Sequence, residues 1–232
     1  MKKYILIFCF PLLLYGCGPQ FIYPNLDQLV PWYIDDYISL KREQSTILEE
    51  RLAQRLEWHC RTQLPLYSES LKELAKDLKD PTHPISYQRI RYYHDKFLNH
   101  WRDLLRQLGP DIAAILATAS GEQITELFQN LEKQNQKYRS EYVDLPANKL
   151  RKKRQKRMTK SLKHWISRLN SEQERAVLDW SERLKPFAAD RLQYREIVLA
   201  EFRNLLEQRR HDADFQTSFT ELLAHLERLR PT

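Results

Sequence analysis

Glycine is almost missing from this chain: four occur in 232 residues, at 16, 18, 109 and 121. Tight turns that need positive φ are therefore scarce, and no Asn-Gly or Asp-Gly pair is present to close a β-hairpin. No stretch sustains the period-2 alternation of a strand. Cysteine is as sparse, with Cys9, Cys17 and Cys60 only. No run of about 20 apolar residues could serve as a permanent membrane span. The sequence also lacks His-Glu-x-x-His, Cys-x-x-Cys and paired-His patterns, a Gly-rich phosphate loop and a Gly-x-Ser-x-Gly elbow. Neither a metal site nor a cofactor is predicted, and an enzyme here would have to gather its polar residues from several helices.

What is present begins with an address. Met1-Lys2-Lys3 precedes an apolar run from Tyr4 to Leu14, interrupted by Pro11, which is the length of a secretory signal and too short to span. It ends Leu14-Tyr15-Gly16-Cys17, which resembles a bacterial lipobox. The resemblance implies cleavage between Gly16 and Cys17, a diacylglycerol on the Cys17 thiol and acylation of the freed amine. Gly18, by similarity to gram-negative lipoproteins, implies release to the outer membrane, with the body facing the periplasm. Two or three acyl chains, at about 0.8 kcal/mol per buried methylene, make a stable anchor. The expected plan is a signal peptide over 1–16, a lipidated tether over 17–24 and a single helical domain over 25–232. A tether from Gly18 to Pro24 reaches roughly 25 Å, so the body stays near the bilayer. Phe21, Ile22 and Tyr23 either rest among headgroups or pack on the domain.

Removing residues 1–16 takes Lys2, Lys3 and Cys9 and lowers the formal charge from +7 to +5. The remaining chain suits one domain, or at most two small ones. With Cys17 consumed by lipid, Cys60 is left alone and no intrachain disulfide can form, so packing must supply stability. Plentiful Leu, Glu, Gln, Lys and Arg predict an all-α fold, an elongated or curled bundle of about eight helices. A short helix with Leu26, Leu29, Trp32 and Tyr33 bends at Pro31. Leu48, Leu52, Leu56 and Cys60 mark a second that stops at Pro65, and their spacing predicts a buried Cys60 thiol. Tyr67, Leu71, Leu74 and Leu78 follow, then a turn at 80–84. Ile90, Phe97, Trp101, Leu104 and Leu108 line a helix expected to end at Gly109-Pro110, before a small helix over 111–119. Further helices start at Ser120, resume after Leu145-Pro146, and cover 172–185, 187–210 and a last segment with Phe215, Phe219, Leu222, Leu226 and Leu229. Each long segment has an apolar stripe expected to meet another stripe, with Tyr and Trp serving as core.

A weak echo runs through "LKREQ" (40–44), "ASGEQ" (119–123) and "LNSEQ" (169–173). Ser120 with Gln123, and Asn170 with Gln173, have capping-box spacing; Lys41 stands at the equivalent place in the first copy, which lacks the box. The unequal spacings exclude a solenoid. These stretches loosely resemble the Leu-Thr-x-x-Gln motifs of Spy- and CpxP-type periplasmic helical chaperones. A broader resemblance is carried by "LDQLVPWYIDDYISLKREQ" (26–44), "LEWHCRTQLPLY" (56–67), "YRSEYVD" (138–144), "RLNSEQ" (168–173) and "RRHDADF" (209–215). Together these resemble an uncharacterised group of proteobacterial lipoproteins, domain of unknown function 6279. The resemblance implies a helical, periplasm-facing lipoprotein and carries no activity with it.

The sharpest physical feature is charge segregation. From Leu145 to Ser171 there is no Asp or Glu but ten basic residues: Lys149, Arg151, Lys152, Lys153, Arg154, Lys156, Arg157, Lys160, Lys163 and Arg168. The rest of the mature chain is net acidic. Such a run repels itself as an isolated helix. It needs an anionic counterpart: another face of the domain, an anionic lipid surface or an acidic envelope protein. Nucleic acid, the usual partner of such a run, is not expected after export. Residues 149–163 of this set are the candidate anionic-partner surface. Elsewhere, His59 and Cys60 point about 100° apart, His94 and His100 lie on different faces, and Asp35-Asp36 are neighbours on different faces. Asp212 or Asp214 is expected to cap the last helix. The function expected is a non-enzymatic envelope lipoprotein that binds another component or holds unfolded clients; the alternative is an envelope-acting hydrolase or transferase.

Overall fold

The computed structural model describes residues 22–80, 82, 85–184, 187–210 and 214–231. Gly16 and Cys17, with the signal and most of the tether, lie outside these residues. The described residues form α1 (Leu26–Asp35), α2 (Arg42–Trp58), α3 (Leu64–Lys79), α4 (Tyr87–Ala117), α5 (Gly121–Tyr138), α6 (Ala147–Ile166), α7 (Ser171–Arg183), α8 (Ala188–Gln208) and α9 (Phe215–Ala224), without a strand among them. Two π-helical turns, His59–Gln63 and Arg139–Val143, follow α2 and α5. By contact the chain divides into two compact units: residues 1–128 with 202–226, and residues 129–201 with 227–232. The division falls inside α5 and α8, not at a linker, so no change of composition marks it.

In the first unit two prolines do not end their helices. The helix expected to stop at Pro65 runs on from α2 into α3. A proline lacks the N–H of the α ladder and crowds the carbonyl four residues back. Here the π turn supplies the needed slack: Leu64 N bonds His59 O, five residues away, and Pro65 sits in the first turn of α3. Four-residue steps drift about 40° each round an α-helix, so Cys60 stands well round from Leu48 at the end of that series. Its thiol is exposed, contrary to the spacing argument, and Gln63 is buried instead. Gly109-Pro110 likewise lies inside the single helix α4, which absorbs the separate helix expected at 111–119. The cause is tertiary. α9 crosses α4 at Gly109, where a Cβ would stand 2.7 Å from Thr220 Oγ1 and 3.0 Å from Thr220 Cα. Buried Ala113, Leu206, Phe215, Phe219 and Ala224 complete the core of this unit.

Two of the three Glu-Gln turns meet. Gln44 and Gln123 are buried (4% and 6% exposed), and Gln123 Nε2 donates to Gln44 Oε1 at 2.8 Å. Gln44 Oε1 accepts from Lys41 N and Gln123 Oε1 from Ser120 N, while Ser120 Oγ accepts from Gln123 N. The second copy is therefore a full capping box. The first keeps the glutamine half, since an ammonium cannot accept a hydrogen bond. Gln123 Nε2 also donates to Ser39 O at 2.7 Å, and Gln44 Nε2 to Thr118 Oγ1 at 3.0 Å.

The α3–α4 pair departs from stripe-to-stripe packing. Its facing residues are polar. Arg89 bonds Asp77 and Glu73, Tyr93 Oη donates to Asp77 at 2.7 Å, Lys96 reaches Glu73 at 2.7 Å, and Ser70 Oγ meets His100 Nε2 at 3.0 Å. The order of these pairs makes the two helices antiparallel. On each, the apolar stripe lies about 100° round from the polar contact, which in an antiparallel pair puts both stripes on one side. Leu71, Leu78, Ile90 and Trp101 on those stripes are each more than half exposed. The expectation that aromatic residues form core fails here and at Trp32, Tyr33 and Trp165. Tyr23 packs on the domain: its ring stacks on His59, and its hydroxyl lies 3.1 Å from His59 Nδ1. His94 bonds Asp95 and stays apart from His100, as the spacing implied. Asp214 stands at the N-cap of α9, where its carbonyl takes Ser218 N; Asp212 lies outside the described residues.

Two outcomes follow. Gly109→Ala should lower stability by about 1–2 kcal/mol in urea unfolding, since overpacking outweighs the helix-propensity gain of about 1 kcal/mol. Adding Thr220→Ala should recover part of the loss; unchanged stability in the single variant would contradict the close crossing. The second outcome concerns pH. Glu73 is held below the ordinary carboxylate range chiefly by its bond from Lys96, and Asp77 chiefly by its bond from Arg89. A depressed carboxylate stabilises fully above the ordinary range and loses that contribution as pH falls through its folded value. The stability gap between the wild type and Asp77→Asn should therefore narrow below about pH 4. A gap constant from neutrality into acid would contradict it.

Candidate functional site: the basic helix and its groove

The second unit is organised around α6, which carries the expected cationic run. Pro146 starts it and Leu150 anchors it in the interior. It ends at Ser167, whose φ of 49° and ψ of −57° place a strained γ-turn closed by Arg168 N on Ile166 O. The chain then enters α7 through the third Glu-Gln turn. Asn170 Oδ1 accepts from Gln173 N, and Gln173 Oε1 accepts from Asn170 N, both at 2.9 Å. This is the full capping box the spacing predicted, and both side chains are exposed. α7 packs along α6 through buried Val177 and through Gln155 Nε2, which donates to Ser181 Oγ at 2.8 Å.

Charge on α6 is sorted by angle. Lys152, Lys156, Lys160 and Lys163 fall within an arc of about 80°. They line an open groove of about 690 Å³ between α6 and α7, with Gln155, Thr159, Val177 and Leu178. Glu174 is the one carboxylate in that lining, and it forms no ion pair with these lysines. Beyond the groove Ile166 is exposed, and Trp165, 80% exposed, stands about 180° round α6 from the lysine row. Among the described residues, carboxylates neutralise two of the expected surface residues. Lys153 pairs with Glu141 at 2.9 Å and sits 3.9 Å over the Tyr142 ring, and Arg151 lies 3.3 Å from Glu182. Lys153 holds Glu141 below the ordinary carboxylate range. Lys149 is exposed at the helix start.

Arg154 and Arg157 belong elsewhere. They lie roughly 130° round from the lysine row and face Tyr142 and Phe187. Arg191 and Arg195, four residues apart on α8, join them in the lining of a separate pocket. Nothing in the linear sequence linked these two pairs, because nothing on α6 says which face α8 will cover. The candidate surface therefore resolves into a lysine groove and an arginine pocket.

With the fold and these sites described, comparison with known proteins gives a family match. A family described as "Family of unknown function (DUF6279)" matches residues 36–232. The chain belongs to this family. The match takes in all of the second unit and the first from Asp36, with four of the five stretches that carried the resemblance whole. No curated protein matches the chain, and no solved structure matches it.

Proposed function

We propose that this DUF6279 chain is a non-enzymatic envelope lipoprotein, anchored through an acylated Cys17, that docks on an anionic lipid surface along the α6–α7 groove. The observation that carries the reading is the row Lys152, Lys156, Lys160 and Lys163 along an open groove floored by Val177 and Leu178. Lysines hold their ammonium groups at headgroup depth while their stems cover apolar surface. Each cation near an anionic surface contributes about 1 kcal/mol, within a Debye length. The lipobox resemblance supports the same placement, since an acylated Cys17 would hold the chain at a bilayer.

The test is co-sedimentation of the full chain with vesicles. Binding to phosphatidylglycerol vesicles should exceed binding to phosphatidylcholine vesicles. Lys152→Gln with Lys156→Gln, Lys160→Gln and Lys163→Gln should weaken it at least about ten-fold, and Trp165→Ala should weaken it less. Equal binding to both vesicle types would turn the reading toward an acidic envelope protein. Mass spectrometry of the mature chain should find Cys17 diacylated; a free thiol at Cys17 in soluble material would remove the anchor.

A second reading, a cradle for unfolded clients, is favoured by one observation of the first unit: the unpartnered apolar side of the α3–α4 pair. Leu71, Leu78, Ile90 and Trp101 are exposed there on helices whose mutual contact is polar, so this face can take an apolar segment without unfolding the pair. The full chain should then slow aggregation of a denatured test protein. Leu71→Ser with Ile90→Ser should abolish the effect and leave the circular-dichroism spectrum unchanged. If the variant protects as well as the wild type, this face is not a client surface.

A further inference from the structure

The pocket on the other side of α6 has a different chemistry. Its volume is about 240 Å³, and it is lined by Tyr138, Tyr142, Leu150, Arg154, Arg157, Phe187, Ala188, Arg191 and Arg195. Four guanidinium groups and no carboxylate contribute to it. Among the described residues, Glu141 pairs with Lys153 and also acts on Arg157 through space, and Glu196 pairs with Arg139. Like charges gathered with no carboxylate in the lining cost stability.

Aromatic rings hold the guanidiniums by their faces. Tyr138 and Tyr142 stack on one another with centroids 4.9 Å apart, across the junction of α5 and its π turn. Arg195 and Arg191 lie 5.4 and 5.8 Å from the Tyr138 centroid, Arg157 5.8 Å from Tyr142 and Arg154 5.8 Å from Phe187. A cation over a ring is attracted through the face of its plane, and the N–H edges stay available. Few of those edges are used: Arg195 Nε donates to Asn135 Oδ1 at 2.7 Å, and an Arg157 Nη to Tyr142 Oη at 3.0 Å. The first turn of α8, where Ala188 lines the pocket, adds amide groups without ladder partners.

We propose that this pocket binds a phosphate monoester or diphosphate group. A singly charged carboxylate would leave most of four positive charges uncompensated, whereas a phosphate dianion or a diphosphate balances them more nearly and presents oxygens to several forks at once. The volume admits such a group with a small attached residue, which the Tyr138, Tyr142 and Phe187 rings would contact. The inference is independent of the lipid reading of the lysine groove, because it uses other residues on another face of α6.

The experiment is calorimetric titration of the full chain in detergent micelles with pyrophosphate, alongside flotation with vesicles containing phosphatidic acid. Pyrophosphate should bind saturably. Arg154→Gln with Arg191→Gln should weaken it about ten-fold or more, and Arg154→Lys with Arg191→Lys, which keeps charge but loses the fork, about three-fold or more. Lys156→Gln with Lys160→Gln on the groove should change it less than about two-fold, and circular dichroism should confirm that all variants are folded. Pyrophosphate binding, with flotation that ignores the arginine variants, assigns the pocket to a free phosphorylated compound. Flotation that follows the arginine variants assigns it to a phosphorylated headgroup. Absence of both, or equal weakening of pyrophosphate binding by the lysine and arginine variants, overturns the proposal.

Discussion

A buried pair of amides ties the first unit together. Gln44 and Gln123 stand at the third positions of two helices distant in sequence, and each accepts from its own cap backbone while donating across to other groups. Ser39 O and Thr118 Oγ1, in the segments leading to α2 and α5, take the remaining donors. Buried polar groups are tolerated only when satisfied, so this network fixes where both helices start relative to one another. With no intrachain disulfide expected and few glycines to shape turns, such local satisfaction does the work of staples. Arg209 and Arg210 act in the same sense, donating to Ala119 O just beyond the C-terminus of α4.

The same unit shows why helix number is easier to read than helix partnership. The apolar stripes of α3 and α4 are real in the sequence, yet the two helices meet through Glu73, Asp77, Arg89, Tyr93 and Lys96, about 100° away. Hydrophobic periodicity says that a helix has an apolar side; it does not say what covers it. Proline was misleading for a related reason. Pro65 and Pro110 forbid a local hydrogen bond, but a π turn in one case and the close crossing of α9 in the other keep the rods continuous. Within the first π turn Cys60 is outside and Gln63 inside.

On α6 the helix converts a run of like charge into two chemically distinct surfaces. Lysines, as hydrated point charges on flexible stems, line the open groove with an apolar floor. Arginines, as planar forks, are seated on tyrosine and phenylalanine faces in the smaller pocket. The difference between the residues matters because a lysine row suits a diffuse anionic surface and a cluster of forks suits a discrete oxyanion. Arg151, and Lys153 over the Tyr142 ring at the edge of the pocket, pair with carboxylates.

The sequence by itself determined that the chain is helical, which family it resembles, where most helices begin, the capping boxes at Ser120 and Asn170, and the concentration of cations between 149 and 163. These follow from local rules: period, caps and composition act over a few residues and can be read along a line. Tertiary structure alone decided that Gln44 meets Gln123, that α3 and α4 join by a polar face, that Cys60 is exposed, and that Arg154 and Arg157 share a pocket with Arg191 and Arg195. Each depends on which side of one helix another covers, and that angle is set by packing across tens of residues.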